Sequence, residues 1–203
     1  IEGLFGYGWQ LAGAEPYVTT SERPTGFEAT GSYAPYHFNT RVFINLPDGT
    51  RAGFTFAPQP VVEGGLAYYR PAWAPLVRDG WTLDSAAAML DDVAGALYQL
   101  GTGLPYNPAD PSFGGFAWTL TSPDGTAYRY DRDQDLRESV TAAGQVLIWS
   151  DSGVTGPAGS QIQFEHDRAG RLAALVGPDR QRIEYVYSDA GDLTGVSALG
   201  GVR

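Results

Sequence analysis

The sequence contains no cysteine and no lysine, and each absence excludes a class of chemistry. Without cysteine, the 203 residues can form neither a disulfide nor a thiolate nucleophile. Without lysine, they cannot form a lysine–asparagine isopeptide bond, and all 13 basic residues are arginines. Covalent cross-links of both kinds are therefore excluded.

Histidine is scarce, and the motifs of common hydrolases and nucleotide-binding enzymes are missing. The two histidines, His37 and His166, each lie in a stretch that we interpret as a strand. The sequence has no Gly-x-Ser-x-Gly elbow, no His-Glu-x-x-His zinc motif and no Walker phosphate loop. We therefore predict a protein that is not an enzyme, with no catalytic residues and no cofactor.

A basic patch and a long apolar run are also lacking. The formal net charge is −10, and the arginines are not gathered into the dense stripe that phosphate binding needs, which excludes nucleic acid and anionic membranes as partners. No run approaches the roughly 18 apolar residues that cross a bilayer, and Ile1-Glu2-Gly3 lacks the basic start of a secretion signal. We expect a soluble chain without membrane insertion, cut from a longer protein.

A short phrase recurs in the second half of the chain: an aromatic residue, a spacer, an aromatic residue or histidine, a polar turn, and leucine. The copies lie at residues 128–136, 164–172 and 185–193. A degenerate copy at 143–153 falls in the longer gap, so the unit is about 20 residues long.

Each unit has the pattern of a β-hairpin. Aromatic and branched residues alternate with polar ones, as on a strand with one buried face, and Asp-x-x-Gly supplies turn residues. A single hairpin is marginally stable in water, so neighbouring units must pair. With 27 glycines and 14 prolines to form turns, the sequence predicts a mainly β fold, a sheet or solenoid-like roll of hairpins.

These residues resemble the RHS or YD-repeat family, whose phrase reads Tyr-x-Tyr-Asp-x-x-Gly-Arg-Leu. The copy at 164–172 has Phe and His for the two tyrosines, the copy at 185–193 has Ser188 for Asp, and the copy at 128–136 has Gln134 for Gly. The resemblance is clear over about residues 116–197 and weaker over 1–60, where Gly8-Trp9-Gln10-Leu11 resembles the family's entry motif.

The first half also contains a hairpin signal. Pro47-Asp48-Gly49 stands before an aromatic-x-aromatic stretch, as Pro123-Asp124-Gly125 does. We interpret residues 1–203 as one repeat-built β region. The alternative division is into two lobes, an N-terminal β part with a helical insertion at 1–115 and the YD repeats at 116–203.

One segment departs from the β pattern. Apolar residues between 84 and 100 recur at helical spacing, with Asp84 as a suitable N-cap and Gly101 as a terminator. This predicts one inserted α-helix over about 84–100.

Three alternating carboxylates, Asp131, Asp133 and Asp135, begin like a calcium loop. An EF-hand needs glycine and glutamate where Leu136 and Ala142 stand, and Arg132 adds a positive charge. We therefore expect a solvated hairpin turn and no metal site, with calcium as the alternative.

Aromatic residues offer the best candidates for ligand binding. Trp118 and Trp149 lie in strand patterns and are expected inside, whereas Trp73 and Trp81 lie in a proline-rich stretch and are expected to be more exposed. The candidate ligand-binding residues are Tyr69, Arg70, Trp73 and Trp81.

The family resemblance implies a non-enzymatic structural module of a large bacterial protein that is secreted or displayed on the cell surface. Family members build a β-strand shell or scaffold around a toxic or otherwise guarded segment, so the implied partners are adjacent repeats of the parent chain. Two alternatives stay open: an adhesin or lectin-like module that binds glycan or a partner protein through exposed aromatics, and an extracellular array component that self-associates through an exposed strand edge.

Overall fold

The computed structural model describes residues 2–3, 6–7, 17–77 and 80–199. The prediction of a mainly β chain is confirmed, and every sheet of this part is antiparallel and open. The strands are β1 (Glu2–Gly3), β2 (Gly6–Tyr7), β3 (Val18–Thr20), β4 (Arg41–Asn45), β5 (Arg51–Phe56), β6 (Gln59–Glu63), β7 (Leu66–Arg70), β8 (Trp73–Val77), β9 (Thr82–Ser85), β10 (Leu90–Val93), β11 (Ala96–Gln99), β12 (Trp118–Thr121), β13 (Ala127–Tyr130), β14 (Leu136–Val140), β15 (Val146–Ser150), β16 (Gly153–Thr155), β17 (Gln161–His166), β18 (Leu172–Val176), β19 (Arg182–Tyr187) and β20 (Leu193–Leu199). Single 3₁₀ turns lie at Glu28–Thr30 and Pro157–Gly159. Within the described residues, no helix has the length and apolar character needed to cross a membrane.

The largest sheet has ten strands and follows the chain almost without interruption. Its order runs from β20 back to β12 through each strand in turn, and β9 completes it beside β12. Each strand from β12 onward pairs antiparallel with the next one along the sequence, so the sheet is a meander of hairpins. Residues 116–197 are therefore strands and turns, as the recurring phrase predicts.

Six of the eight hairpins in this meander share one five-residue turn. The first residue donates its backbone N–H to the carbonyl of the fifth and accepts from the N–H of the fourth, which has a positive φ. This is a type I turn with a G1 bulge. The turns are 122–126, 131–135, 141–145, 167–171, 177–181 and 188–192.

The fourth position of the turn does not require glycine in this chain. Gln134 has a φ of 74° and Arg180 a φ of 59°, close to the values at the glycines of the other turns. The Gly-to-Gln departure at residue 134 therefore leaves the turn geometry intact. A side chain in this region is strained, because its Cβ approaches the following carbonyl oxygen.

Replacing Gln134 with glycine is expected to raise the free energy of unfolding by about 0.5–1 kcal/mol. Relief of left-handed strain, about 1–2 kcal/mol, is partly offset by the greater freedom of glycine in the unfolded chain. Urea unfolding measures the change. The matched control is Gly170→Ala, which should destabilise by about 1 kcal/mol through its φ of +80° alone, because no atom lies within 4 Å of the added Cβ. If the urea midpoint of Gln134→Gly equals that of wild type, the backbone at Gln134 is not strained.

Two four-stranded sheets, β3-β4-β5-β8 and β11-β10-β7-β6, pack with the start of the meander around one hydrophobic core. Its fully buried side chains come from both halves of the chain and include Tyr36, Ile44, Phe54, Leu90, Leu97, Tyr106, Trp118 and Tyr130. The Tyr130 hydroxyl donates to the Asn45 carbonyl at 2.9 Å and so ties β13 to the end of β4. Trp118 is buried in the same core as predicted, whereas Trp149, also expected inside, is half-buried and packs against the core.

The predicted helix over 84–100 is wrong, because these residues form the end of β9 and the hairpin β10–β11. Ala94 and Gly95 make a two-residue turn with φ values of 56° and 90°, the signature of a type I′ hairpin. The Gly95 N–H donates to Asp92 Oδ1 at 2.6 Å. Helical spacing predicts Leu90 and Leu97 on one face of a helix. In the structure they lie on the neighbouring strands β10 and β11, and both are fully buried. Pairing with β7 and burial in the core outweigh the helix propensity of the alanines.

From β15 onward the meander has two unlike faces and little buried core. On one face, Phe164 lies opposite Leu175 and Leu175 opposite Ile183. The buried part of this face is a small cluster around Leu172 and Tyr185. On the other face, the charged side chains of β17 and β19 lie opposite one another around the fully buried Ala174.

Candidate functional site

Tyr69 and Arg70 are consecutive on β7 and therefore point to opposite faces of the strand. Tyr69 is half-buried and packs edge-on against Phe38, with ring centroids 5.5 Å apart. Arg70 is exposed, and its Nη2 donates to Glu63 Oε2 at 2.9 Å and to the Tyr68 hydroxyl at 2.7 Å. The Arg70 guanidinium also lies over the ring of Tyr68, 5.4 Å from its centroid, and Tyr68 itself is buried.

Trp73 is held in an aromatic cluster and is half-buried, so the expectation of an exposed ring is wrong. Its ring lies 4.9 Å from that of Phe56 and 6.2 Å from that of Tyr36. Its Nε1 donates to Ser85 Oγ at 2.9 Å, which also contacts the Tyr106 hydroxyl at 2.9 Å. Satisfying the indole N–H and burying the ring explain the position of Trp73 without a ligand.

Trp81 is likewise half-buried and packs against the main core. The ring contacts of the described residues join Trp73 to Phe56 and Tyr36, and Tyr69 to Phe38, but they do not join the two candidate tryptophans to each other. The structure therefore does not gather the four candidates into one open platform. It places Tyr69, Trp73 and Trp81 against the core and leaves Arg70 at the surface.

The aromatic cluster itself combines distant parts of the sequence. Tyr106 stacks on Phe56 at 5.6 Å and meets Phe113 and Tyr36 edge-on. Burial raises the pKa of the Tyr36 and Tyr106 hydroxyls well above the usual value, so both stay protonated and neutral. No local pattern in the sequence links these residues, which is why the cluster was missed.

His37, predicted in a strand, forms an isolated β-bridge with Ala96 just before a turn, and it contacts a carboxylate and a hydroxyl. Its Nδ1 lies 3.3 Å from Glu22 Oε1, and its backbone N–H donates to Thr40 Oγ1 at 2.9 Å. The Thr40 hydroxyl donates to the same Glu22 oxygen. These bonds close the turn that contains Asn39, which has a φ of 67°. His166 ends β17 as predicted, but it is exposed and not half-buried.

Two of the three carboxylates at 131–135 bind Arg137. Arg137 Nε donates to Asp131 Oδ2 at 2.5 Å, and Nη2 donates to Asp135 Oδ2 at 3.2 Å. Asp133 is exposed in the turn. Burial raises the pKa of the Asp135 carboxyl, although Arg137 opposes this shift. Across the described residues, no three acidic, histidine or cysteine side chains are arranged to hold a metal ion.

The copy of the recurring phrase at 164–172 forms a polar junction with the next copy, at 185–193. Asp167 Oδ1 accepts from the backbone N–H groups of Ala169 and Arg171 at 2.8 and 3.0 Å, and Oδ2 accepts from Arg171 Nε at 2.8 Å. The Arg171 guanidinium lies over the ring of Tyr187, 4.4 Å from its centroid. The Tyr187 hydroxyl donates back to the Leu172 carbonyl at 2.7 Å. The Asp and Arg of one unit thus position the second Tyr of the next.

This junction makes the free energy of unfolding depend on pH through the Asp167 carboxyl. Burial tends to raise the pKa of Asp167, but the bonds from Arg171 and Ala169 outweigh it and lower the pKa below the usual value. A carboxyl with a lowered pKa stabilises the fold above its unfolded pKa of about 3.9, and this stability is lost as pH falls through the folded pKa.

Asp167→Asn is therefore expected to lower the free energy of unfolding by about 1 kcal/mol at pH 7, and the difference from wild type should shrink below about pH 4. Urea unfolding between pH 3 and 7 measures it. Asp189→Asn, at an exposed turn position, should stay within about 0.5 kcal/mol of wild type. If the stability difference between Asp167→Asn and wild type is the same at every pH, the stabilising role given to the Asp167 carboxylate is wrong.

A shallow depression of about 410 Å³ lies on β15 and β16 between two turns. Its lining is uncharged and consists of residues 144–146, Ile148 and residues 155–157. Val146 and Ile148 are partly exposed there. No ionisable group faces the depression to favour a particular ligand.

Searches of the sequence against models of protein families and against curated proteins found no match.

Proposed function

We propose that this chain is a non-enzymatic structural module of a large bacterial RHS or YD-repeat protein, in which its hairpins form part of a β-strand shell or scaffold. The observation that carries the proposal is the shared five-residue turn in six of the eight hairpins of the ten-stranded meander. One turn geometry repeated along a sheet is what a chain built from equivalent units requires.

The junction between units supports the same proposal. Asp167 and Arg171 of the phrase at 164–172 bind each other and hold Tyr187 of the following phrase, so these two copies are joined by residues of the phrase itself. One ion pair also crosses the sheet: Arg182 of β19 binds Glu165 of β17 at 2.8 Å, and it binds Glu184 of its own strand at the same distance. Such contacts stiffen a wall without forming a reactive centre.

In the proposed parent protein, further units continue the meander, and its right-handed twist bends the sheet into a solenoid-like roll. The function is steric: backbone-bonded strands enclose or carry another segment of the parent chain. The net charge of −10 keeps such a wall soluble. Secretion or display on the bacterial surface belongs to this proposal through the family resemblance.

Hydrogen exchange tests the repeat organisation directly. In a chain whose units contact only their neighbours, Gly170→Ala should loosen β17, β18 and the adjoining strands while β4 and β5 keep wild-type protection. Gly49→Ala, in the equivalent turn between β4 and β5, is the matched control and should show the reverse pattern. Uniform loss of protection along the chain in either variant counts against a wall of repeated units.

A glycan array distinguishes the structural module from the lectin-like alternative. A purely structural module should bind no glycan on the array specifically. Hits that disappear on Arg70→Ala, the candidate that lies at the surface, favour the adhesin or lectin alternative. Trp73→Ala is unsuitable here, because loss of its ring contacts and its bond to Ser85 disturbs the core.

A further inference from the structure

Strand β20 is an edge of the ten-stranded sheet and, among the described residues, pairs on one side with β19. It spans Leu193–Leu199, the longest strand of this part of the chain. An edge strand presents a row of backbone N–H and C=O groups that another strand can pair with.

The other edges of the described four- and ten-stranded sheets carry features that discourage pairing or are already in contact. β6 contains Pro60 and Glu63, β8 contains Pro75, and β9 contains Asp84. β3 donates from Val18 to the Gln134 carbonyl, and β11 is bridged by residues 37 and 105. Proline and charge are the usual protections of an edge, and β20 has neither over its whole length.

The sequence of β20 is roughly symmetric in residue size, with leucine at both ends, valine at the centre and small residues between. About a centre at Val196, Gly195 faces Ser197, Thr194 faces Ala198 and Leu193 faces Leu199. Two copies of β20 in antiparallel pairing would therefore oppose residues of similar size, and Val196 would face its own copy. Two-fold symmetry usually sets like charges against each other, but β20 has no charge to oppose.

The side chain at the centre is available for such a contact. Val196 is 59% exposed and lies opposite Tyr185 of β19. Across the two-fold axis, Tyr185, Val196 and their copies would form one apolar row on the apolar face of the meander. A second copy of the chain thus continues both the hydrogen-bonded sheet and its apolar face.

We propose that β20 is a self-pairing edge, through which two copies of this chain join antiparallel about Val196 into one continuous sheet. The interaction surface is isologous, and the partner is a second copy of the chain. This goes beyond the role of a wall, because it assigns the position and register of a joint between walls. In a longer chain, a following hairpin and a second copy would compete for this edge.

Sedimentation equilibrium of the 203-residue chain tests association, at concentrations up to about 1 mM, where an affinity of millimolar strength is already visible. The expected result is twice the monomer mass at high concentration. Val196→Lys and Val196→Glu should each be monomeric, because the two-fold axis opposes like charges, and an equimolar mixture of the two should dimerise again. The matched control Val62→Lys, on the proline-containing edge β6, should associate as wild type does.

A cysteine series tests the register and keeps the side chain near its original size. The chain has no cysteine of its own, so Val196→Cys should give a cross-linked dimer under mild oxidation, since directly opposed strand residues lie within the Cα distance of a disulfide. Ser197→Cys, which faces Gly195 and not itself, and Val186→Cys, exposed on the inner strand β19, should stay largely monomeric. Near-UV circular dichroism confirms the fold of each variant. A monomer at every concentration, association that survives Val196→Lys, or equal cross-linking at residues 186 and 196 overturns the proposal.

Discussion

Replacing Gly153 with alanine is expected to lower the free energy of unfolding by about 3 kcal/mol or more, one of the two largest effects expected in the chain. A Cβ at this position would lie 2.0 Å from the Ile162 carbonyl oxygen and 3.1 Å from the Gln163 Cα. These are backbone atoms of the paired strand β17, so no side-chain movement relieves the clash. The φ of +140° adds strain. β16 has three residues, and separating it from β17 breaks the meander in the middle.

The matched control is Gly144→Ala, which has a φ of 78° and no atom within 4 Å of the added Cβ. It should cost about 1 kcal/mol from backbone strain alone. Thermal and urea unfolding measure both variants. Hydrogen exchange of Gly153→Ala should show the greatest loss in β16 and β17. Similar midpoints for the two variants contradict the role given to the close approach of these strands.

Trp118→Ala is expected to cost about 3–5 kcal/mol, the usual range for removal of a large buried aromatic ring. Trp118 is 1% exposed and stands opposite Ser85 on one side and Tyr130 on the other. Its ring lies where the meander meets the two smaller sheets, so a cavity there weakens both. Urea unfolding with fluorescence and circular dichroism should show the lower midpoint by both probes.

Trp149→Ala is the control, because this tryptophan is half-buried and packs at the margin of the same core. Its loss should be about half as large, since the stabilisation scales with the apolar area removed from water. Its Nε1 also donates to Ser139 Oγ, a longer bond at 3.3 Å. Equal losses for the two tryptophans contradict the placement of Trp118 at the centre of the core.

The strands and turns of the second half could be predicted because their signals are local. The aromatic-x-aromatic alternation places strand residues, and the Pro-Asp-Gly and Asp-x-x-Gly steps place the turns between them. The structure adds that Gln134 and Arg180 take the glycine conformation, which a reading of residue types does not reveal. In these two turns, strand pairing on both sides imposes the backbone angle.

The segment at 84–100 could not be predicted from its spacing alone. Alanine and leucine spaced three and four apart fit a helix, but the same residues also fit a hairpin once Ala94 and Gly95 form the turn. Tertiary contacts decide between the two, because Leu90 and Leu97 are buried by strands far away in sequence. The exposure of Trp73 was misjudged for the same reason: its partners Tyr36 and Phe56 come from distant segments.

The five positions of the shared turn have different roles. The first and fifth residues hold the strands together and the fourth supplies the backbone bend, while the second and third residues are exposed in all six turns. These exposed pairs line the rims of the meander, and among them Asp124 also accepts hydrogen bonds from Ser122 and Thr126. An engineer could therefore redecorate the rims with new recognition residues, and gene duplication could lengthen the array one unit at a time, without redesigning the ladder that carries them.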